Sequence, residues 1–240
     1  MKIIKTSALI AAIIIQLTDA HSQGFVNLNF ESAQIPNGTS QGSLISTNSG
    51  IPGWTASSFQ PQSGTQEVSQ VFYDVISLGG AEISINDTNT SASFVPLQGR
   101  FSVFLFGGSF QQSVTISQRG LVPNGSQSLQ MQISTDGYVR PIGQFVVALN
   151  GEAISMVPLA TFPTYTLYGG DASSFENQLA TLDITASAVQ SGPGPNPILL
   201  DGIVFSSQAI PEPGTLCLLV LGTLILGFRW KRSHPDSRMP

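Results

Sequence analysis

Between Gly24 and Ala209 no segment repeats its apolar residues at helical spacing. Short alternating apolar runs recur there instead, between Gly and Pro breaks. In Ser128–Ser134, for instance, Leu129, Met131 and Ile133 point one way while Gln130 and Gln132 point the other. The same pattern places strands at Phe25–Phe30, Val68–Ile76, Ala81–Ile85, Phe101–Phe106 and Phe110–Ser117. Further strands are expected at Gln144–Leu149, Ala153–Val157, Tyr165–Tyr168, Leu179–Ala186 and Leu199–Phe205. Asn150-Gly151 joins two of these runs and is the preferred pair for a type I′ hairpin. Asp171–Gln178 has room for one short helical turn, and the run from Gly192 to Pro197 makes a stiff loop before the last strand. Ten or so short strands in one domain predict an all-β fold, an antiparallel two-sheet sandwich of the jelly-roll kind, with a closed barrel as the alternative.

Composition narrows the chemistry. The two histidines, His21 and His234, and the one cysteine, Cys217, all lie outside residues 24–209. The body therefore lacks the means for Ser-His-Asp or Cys-His catalysis, histidine or zinc metal sites, and disulfides. Its hydrophobic core must carry stability alone, which a domain of this length can do. Within the same limits three cations, Arg100, Arg119 and Arg140, face eleven anions, a net of −8. Such a surface repels phosphate polymers, so nucleic acid is excluded as a partner.

The two ends differ from the body. Lys2 and Lys5 precede an apolar run from Ala8 to Leu17, and Thr18-Asp19-Ala20 supplies small residues for a signal peptidase. Cleavage is expected after Ala20, with Ser22 as the other site, and residues 1–20 as the signal peptide; an uncleaved N-terminal anchor is the alternative. At the far end Pro211-Glu212-Pro213 precedes an apolar run from Leu216 to Phe228, then Arg229, Lys231 and Arg232. The two prolines forbid regular helix or central strand around Glu212, so the triplet is an extended break. The apolar run has 13 residues, or 18 if counted from Pro213 to Trp230, against the roughly 20 that usually span a bilayer. The cations behind it hold that end in the cytoplasm. The bland alternative is a last strand or helix of the soluble core.

Triplet, apolar run and basic cluster, in that order, resemble the PEP-CTERM sorting signal of Gram-negative bacteria. The resemblance covers residues 210–232 and implies a short transmembrane helix there, with 233–240 as a cytoplasmic tail. It implies export, transient anchoring in the inner membrane, and recognition of Pro211, Glu212 and Pro213 by the protease-transpeptidase exosortase. The destination it implies is the cell surface or an exopolysaccharide-containing extracellular matrix.

A second resemblance concerns the body, residues 24–208. Asn27-Leu28-Asn29-Phe30-Glu31 is followed by Ile51-Pro52-Gly53-Trp54, and Leu199-Leu200-Asp201-Gly202-Ile203 lies near the other end. These motifs are similar to those of exported galactose-binding-like jelly rolls, in which the first and last strands are neighbours. Acids on those strands help bind a structural calcium in that class, so the resemblance implies Glu31 and Asp201 as calcium ligands. Gly202 stands where the class often has a second acid. The other role open to the pair is Glu31 accepting backbone hydrogen bonds at a strand end while Asp201 caps a turn. Trp54, in its Pro-Gly turn, is either a core residue or a platform for a sugar ring, as are Phe59, Tyr73, Tyr138 and Tyr165. The expected function is a non-enzymatic structural, adhesive or carbohydrate-binding protein with no certain cofactor. The alternative is a carbohydrate-active enzyme using paired carboxylates, for which two acids about 5 to 9.5 Å apart suffice.

Overall fold

A computed structural model of the chain describes residues 24–75, 80–90, 95–108, 111–134, 144–187 and 197–210. The expected signal peptide, the Pro-Glu-Pro triplet, the terminal apolar run, the proline-glycine loop and Tyr138 lie outside them.

Among the described residues fourteen strands form two sheets. They are β1 Leu44–Ser46, β2 Thr55–Gln60, β3 Gly64–Glu67, β4 Gln70–Tyr73, β5 Glu82–Asp87, β6 Phe101–Phe106 and β7 Ser113–Leu121. After these come β8 Ser128–Ser134, β9 Gln144–Leu149, β10 Glu152–Ile154, β11 Val157–Thr161, β12 Thr166–Asp171, β13 Leu179–Ser187 and β14 Pro197–Ser206. One sheet has the order β1-β4-β5-β6-β14-β8-β12-β11 and the other β10-β9-β13-β7-β2-β3. The chain crosses between them repeatedly, as a jelly roll does, and every strand pair is antiparallel except β4 with β5.

Alternation decides which side chains fill the sandwich. On β13 Ala180, Leu182, Ile184 and Ala186 are fully buried while the residues between them are half-buried. β7 alternates in the same way against it, in a continuous nine-residue register. β5 and β6 differ, being buried along their whole length. Their outer face carries a small separate cluster, Phe104, Phe106 and Leu199 with Leu97 against it. Asn150 and Gly151, at φ 51 and 79, form the hairpin between β9 and β10, as their chemistry predicts. Ser173–Phe175 makes one 3₁₀ turn within the expected helical segment.

The expected strand Phe25–Phe30 is not one. Residues 25–30 run as an irregular segment, joined to the sheet by one bridge between Gly24 and Leu121. Asn27 and Phe30 turn it through left-handed conformations, φ 50 and 57, which break the regular alternation of a strand. Phe30 nevertheless ends fully buried, with its ring 5.7 Å from that of Trp54.

β14 contains the feature that receives this segment. Asp201 pairs with Gln132 and Val204 with Gln130, so β14 has one residue more than β8 across that interval. The bulge centres on Gly202 at φ 54 and swings the Ile203 amide out to donate to the Leu28 carbonyl at 3.0 Å. A Cβ at 202 would stand 3.0 Å from the Gln132 side chain. The glycine in place of the class's second acid thus has a backbone reason. Gly202→Ala should cost about 1–2 kcal/mol through the left-handed conformation alone, read as a lower urea midpoint at unchanged m-value. Gly202→Asn should cost less, because Asn tolerates that conformation.

Candidate functional site

Two groups of acids converge on the segment 95–101 that leads into β6. In the first, Glu31 Oε1 accepts the amides of Arg100 at 2.8 Å and Phe101 at 3.0 Å. Asp201 Oδ2 accepts the Gln98 amide at 3.1 Å and the Ser102 hydroxyl at 2.7 Å, and its Oδ1 accepts the Gly202 amide at 2.6 Å. The structure therefore brings Glu31 and Asp201 to one loop, with Glu31 on a turn and Asp201 fully buried at the bulge. Burial pushes the Asp201 carboxyl up to about 6, and the charge of Glu31 adds to that. The Ser102, Gly202 and Gln98 hydrogen bonds oppose it.

These partners bear directly on calcium, which takes six to eight oxygen ligands. Here the Glu31 Oε1 atom and both Asp201 oxygens already face N–H and O–H hydrogens, which a cation would have to displace. Among the described residues no group of three or more His, Cys, Asp or Glu is placed to hold a metal. As placed, this donor set receives amide and hydroxyl hydrogens. The geometry is that of the backbone-accepting alternative, with Glu31 on a turn in place of a strand end.

The second group is the larger. Asp87, fully buried at the end of β5, accepts Arg100 Nε at 2.9 Å and Nη2 at 2.7 Å. It also takes the Tyr73 hydroxyl at 2.9 Å and the Asn89 amide at 2.9 Å. Burial raises its pKa, but the Arg100, Asn89 and Tyr73 hydrogen bonds outweigh that and hold it below the usual carboxylate value. Tyr73 is pushed up to about 12, first by burial and then by its bond to Asp87. Beside it Asp74, buried and left-handed at φ 53, accepts the Thr90 hydroxyl, while its Oδ1 meets no partner among the described residues. Burial pushes the Asp74 carboxyl up to about 6; the Asp87 amide opposes this and the Asp87 charge adds to it. Sequence reading missed this network, because Asp74 falls inside the expected strand Val68–Ile76 and Asp87 lies two residues beyond the expected strand Ala81–Ile85.

The expected aromatic platform changes. Trp54 is 4 % exposed, and its Nε1 donates to the Asn27 carbonyl at 3.2 Å, so it packs the core and offers no face to a sugar. The left-handed Gly53 turns the chain so that the indole enters the sandwich against Phe30. Tyr73 is also buried, Tyr165 is half-buried beside Phe162, and Phe59 on β2 remains 40 % exposed.

The described chain ends in a docked position. The Ser206 carbonyl accepts the Gln127 amide, the Ser128 hydroxyl donates to the Gln208 carbonyl at 2.7 Å, and the Ile210 side chain lies over Gly169, where a Cβ would meet it at 2.7 Å. A sorting-motif model described as "PEP-CTERM protein-sorting motif" begins at Ala209 and matches through Ser233. The chain carries a PEP-CTERM sorting signal. The PEP-CTERM motif implies export through the Gram-negative envelope and processing by exosortase.

No curated protein sequence matches the chain. Among solved structures it is similar to TmCBM61 in complex with β-1,4-galactotriose, at 12% identity and TM-score 0.39, covering 76% of this chain and 97% of that one. It is similar to the enzymatically active domain of bacteriophage CBA120 tailspike protein 4, at 12% identity and TM-score 0.38, covering 74% of this chain and 21% of that one. It is also similar to β-glucosidase from Kluyveromyces marxianus in complex with glucose, at 13% identity and TM-score 0.32, covering 78% and 18%. At these scores neither ligand nor activity passes from any of them to this chain.

The two raised carboxyls give stability a definite pH dependence. Asp74 and Asp201 hold their protons in the fold at pH values where the unfolded chain has released them, so their contribution is full below about 3.8 and lost as pH rises through about 6. Asp87 works in the opposite sense and loses its contribution as pH falls below its ordinary value. Unfolding free energy should peak near pH 4 and fall toward pH 6 to 7, by at most about 3 kcal/mol per raised carboxyl. Urea titrations at each pH measure this, and Asp201→Asn should remove its share of the slope. Excess calcium or chelator should leave the wild-type melting temperature unchanged; a calcium-dependent rise would overturn the donor assignment.

Proposed function

We propose that the protein is a non-enzymatic β-sandwich delivered by its sorting signal to the cell surface or extracellular matrix, where the body binds neutral polysaccharide in a structural or adhesive role. Transient anchoring through the terminal apolar run precedes release. The observation that carries the non-enzymatic part is how the acids are used. Asp74 and Asp201, the two carboxyls raised toward neutrality, are 1 % and 0 % exposed and are bonded to the protein's own hydroxyls and amides. A general acid must reach a substrate oxygen within hydrogen-bonding distance, directly or through one water.

One observation favours the competing reading of a glycoside-cleaving enzyme. Asp74 and Asp87 are neighbours with pKa values pushed apart, the arrangement that separates an acid from a base. Their burial and the Arg100 pair on Asp87 weigh against it. Incubation of the full-length protein with a polysaccharide panel separates the two. Retention on a polysaccharide with no new reducing ends supports the binding reading, and turnover abolished by Asp74→Asn establishes the enzyme.

Glu212→Ala should leave a larger, membrane-anchored precursor. Mass spectrometry of the released form reads the outcome: a C-terminus intact through Pro240 on the surface protein would defeat the processing step.

A further inference from the structure

On the outer face of the six-stranded sheet the strands β2, β7 and β13 carry mainly short hydroxyl side chains. Register sets Ser57, Thr115 and Thr185 in one row across β2, β7 and β13, and Thr55, Ser117 and Asp183 in the next. Their sequence neighbours Ala56, Ile116, Leu182 and Ile184 are buried, so the period of two turns these rows outward. Solvent faces of sheets commonly carry long charged side chains; here the three central strands carry only Arg119 in that class.

The rows are held by their own hydrogen bonds. Thr115 and Thr185 hydroxyls bond to each other at 2.8 Å, the Ser117 hydroxyl donates to Asp183 Oδ1 at 2.5 Å, and the Thr55 hydroxyl donates to the Ser117 carbonyl at 3.2 Å. A ligand laid on such a face orders few new rotamers, and avoiding that ordering cost is what preorganisation contributes to affinity. Phe59, 40 % exposed on β2, and Val146, 47 % exposed on β9, flank the rows on either side.

We propose that this face is where the protein holds a neutral polysaccharide, the chain lying across β2, β7 and β13 with a sugar ring against Phe59. Charge selects the class of partner. On β7 and β13 the face has one cation, Arg119, and one anion, Asp183, diagonal to each other in the register, within a body of net −8. An anionic glycan is repelled by that body and by Glu67, which stands opposite Ser57 on β3, whereas a neutral hydroxylated chain meets hydroxyls that both donate and accept. A second copy of the chain fits less well, because Phe59 and Val146 supply little of the apolar area that stable homodimers bury.

This site rests on the binding reading above, and its test distinguishes the two. The full-length protein is titrated with a soluble neutral β-glucan and pelleted with cellulose, with polygalacturonate as the anionic control. Thr185→Lys sets a long cation in the central row, and Ser57→Gln is the milder second variant. Both are solvent-side changes, with folding checked by the urea midpoint. Each should weaken neutral-glycan binding at least about tenfold, while Phe162→Ser, on the hairpin joining β11 and β12 in the other sheet, should not. Wild-type binding that survives both face variants overturns this site and leaves the binding reading standing. Wild type that binds none of the probes overturns both. A dimer dissolved by Thr185→Lys, without glycan binding, assigns the face to a second copy and overturns the glycan site.

Discussion

Loops that leave a sheet take their amide hydrogens with them, and in this protein carboxylates receive them. Glu31 accepts two amides of the 95–101 segment, Asp201 one of that segment and one of its own bulge, Asp87 that of Asn89, Asp171 that of Ser173 and Glu176 that of Gly125. Hydrogen bonds to ionised groups contribute about 1.5–3 kcal/mol each, and a buried amide left without one costs a similar amount. A body with neither cysteine nor histidine has few other means of fixing long connections. The anionic composition is therefore structural first: many of the acids serve as pins.

Asp201 shows how one such pin joins several levels of structure. Its position in β14 generates the bulge with Gly202, and the bulge frees the Ile203 amide for Leu28. That bond seats the irregular chain start, which delivers Phe30 to the core and Glu31 to the loop that Asp201 itself holds. The first described residues, the last strand and the loop thus close on one another through hydrogen bonds to Leu28, Glu31 and Asp201.

Legibility in the sequence followed the apolar pattern. β6, β7, β8, β9 and β13 announce themselves because inward residues are apolar at every second position, and Asn150-Gly151 announces its turn through backbone chemistry. β2 and β3 did not, because Thr-Ala-Ser-Ser-Phe-Gln and Gly-Thr-Gln-Glu have hydroxyls and amides on both faces, and ladder bonds of β2 to β7 and of β3 to β2 hold them more than burial does. Residues 25–30 misled in the opposite direction: the alternation is there, but left-handed Asn27 and Phe30 break it, and a pattern of side chains does not report φ. The resemblance carried by the two motifs put Glu31 and Asp201 on neighbouring strands, whereas Glu31 stands on a turn and the two acids share a loop through backbone amides, which have no letter in a sequence. The same invisibility hid the Asp74–Asp87 network and the hydroxyl rows, which exist only once register is set.

The seat of Ile210 over Gly169 depends on what that glycine lacks. Gly169 leaves room on β12 for two side chains at once, Leu159 from the neighbouring strand and Ile210 from the end of the described chain, and a Cβ there would stand 2.6 Å and 2.7 Å from them. A missing side chain on β12 thus serves as the socket into which the last described residue fits, and enlarging residue 169 would press on the β11 edge and on that residue together.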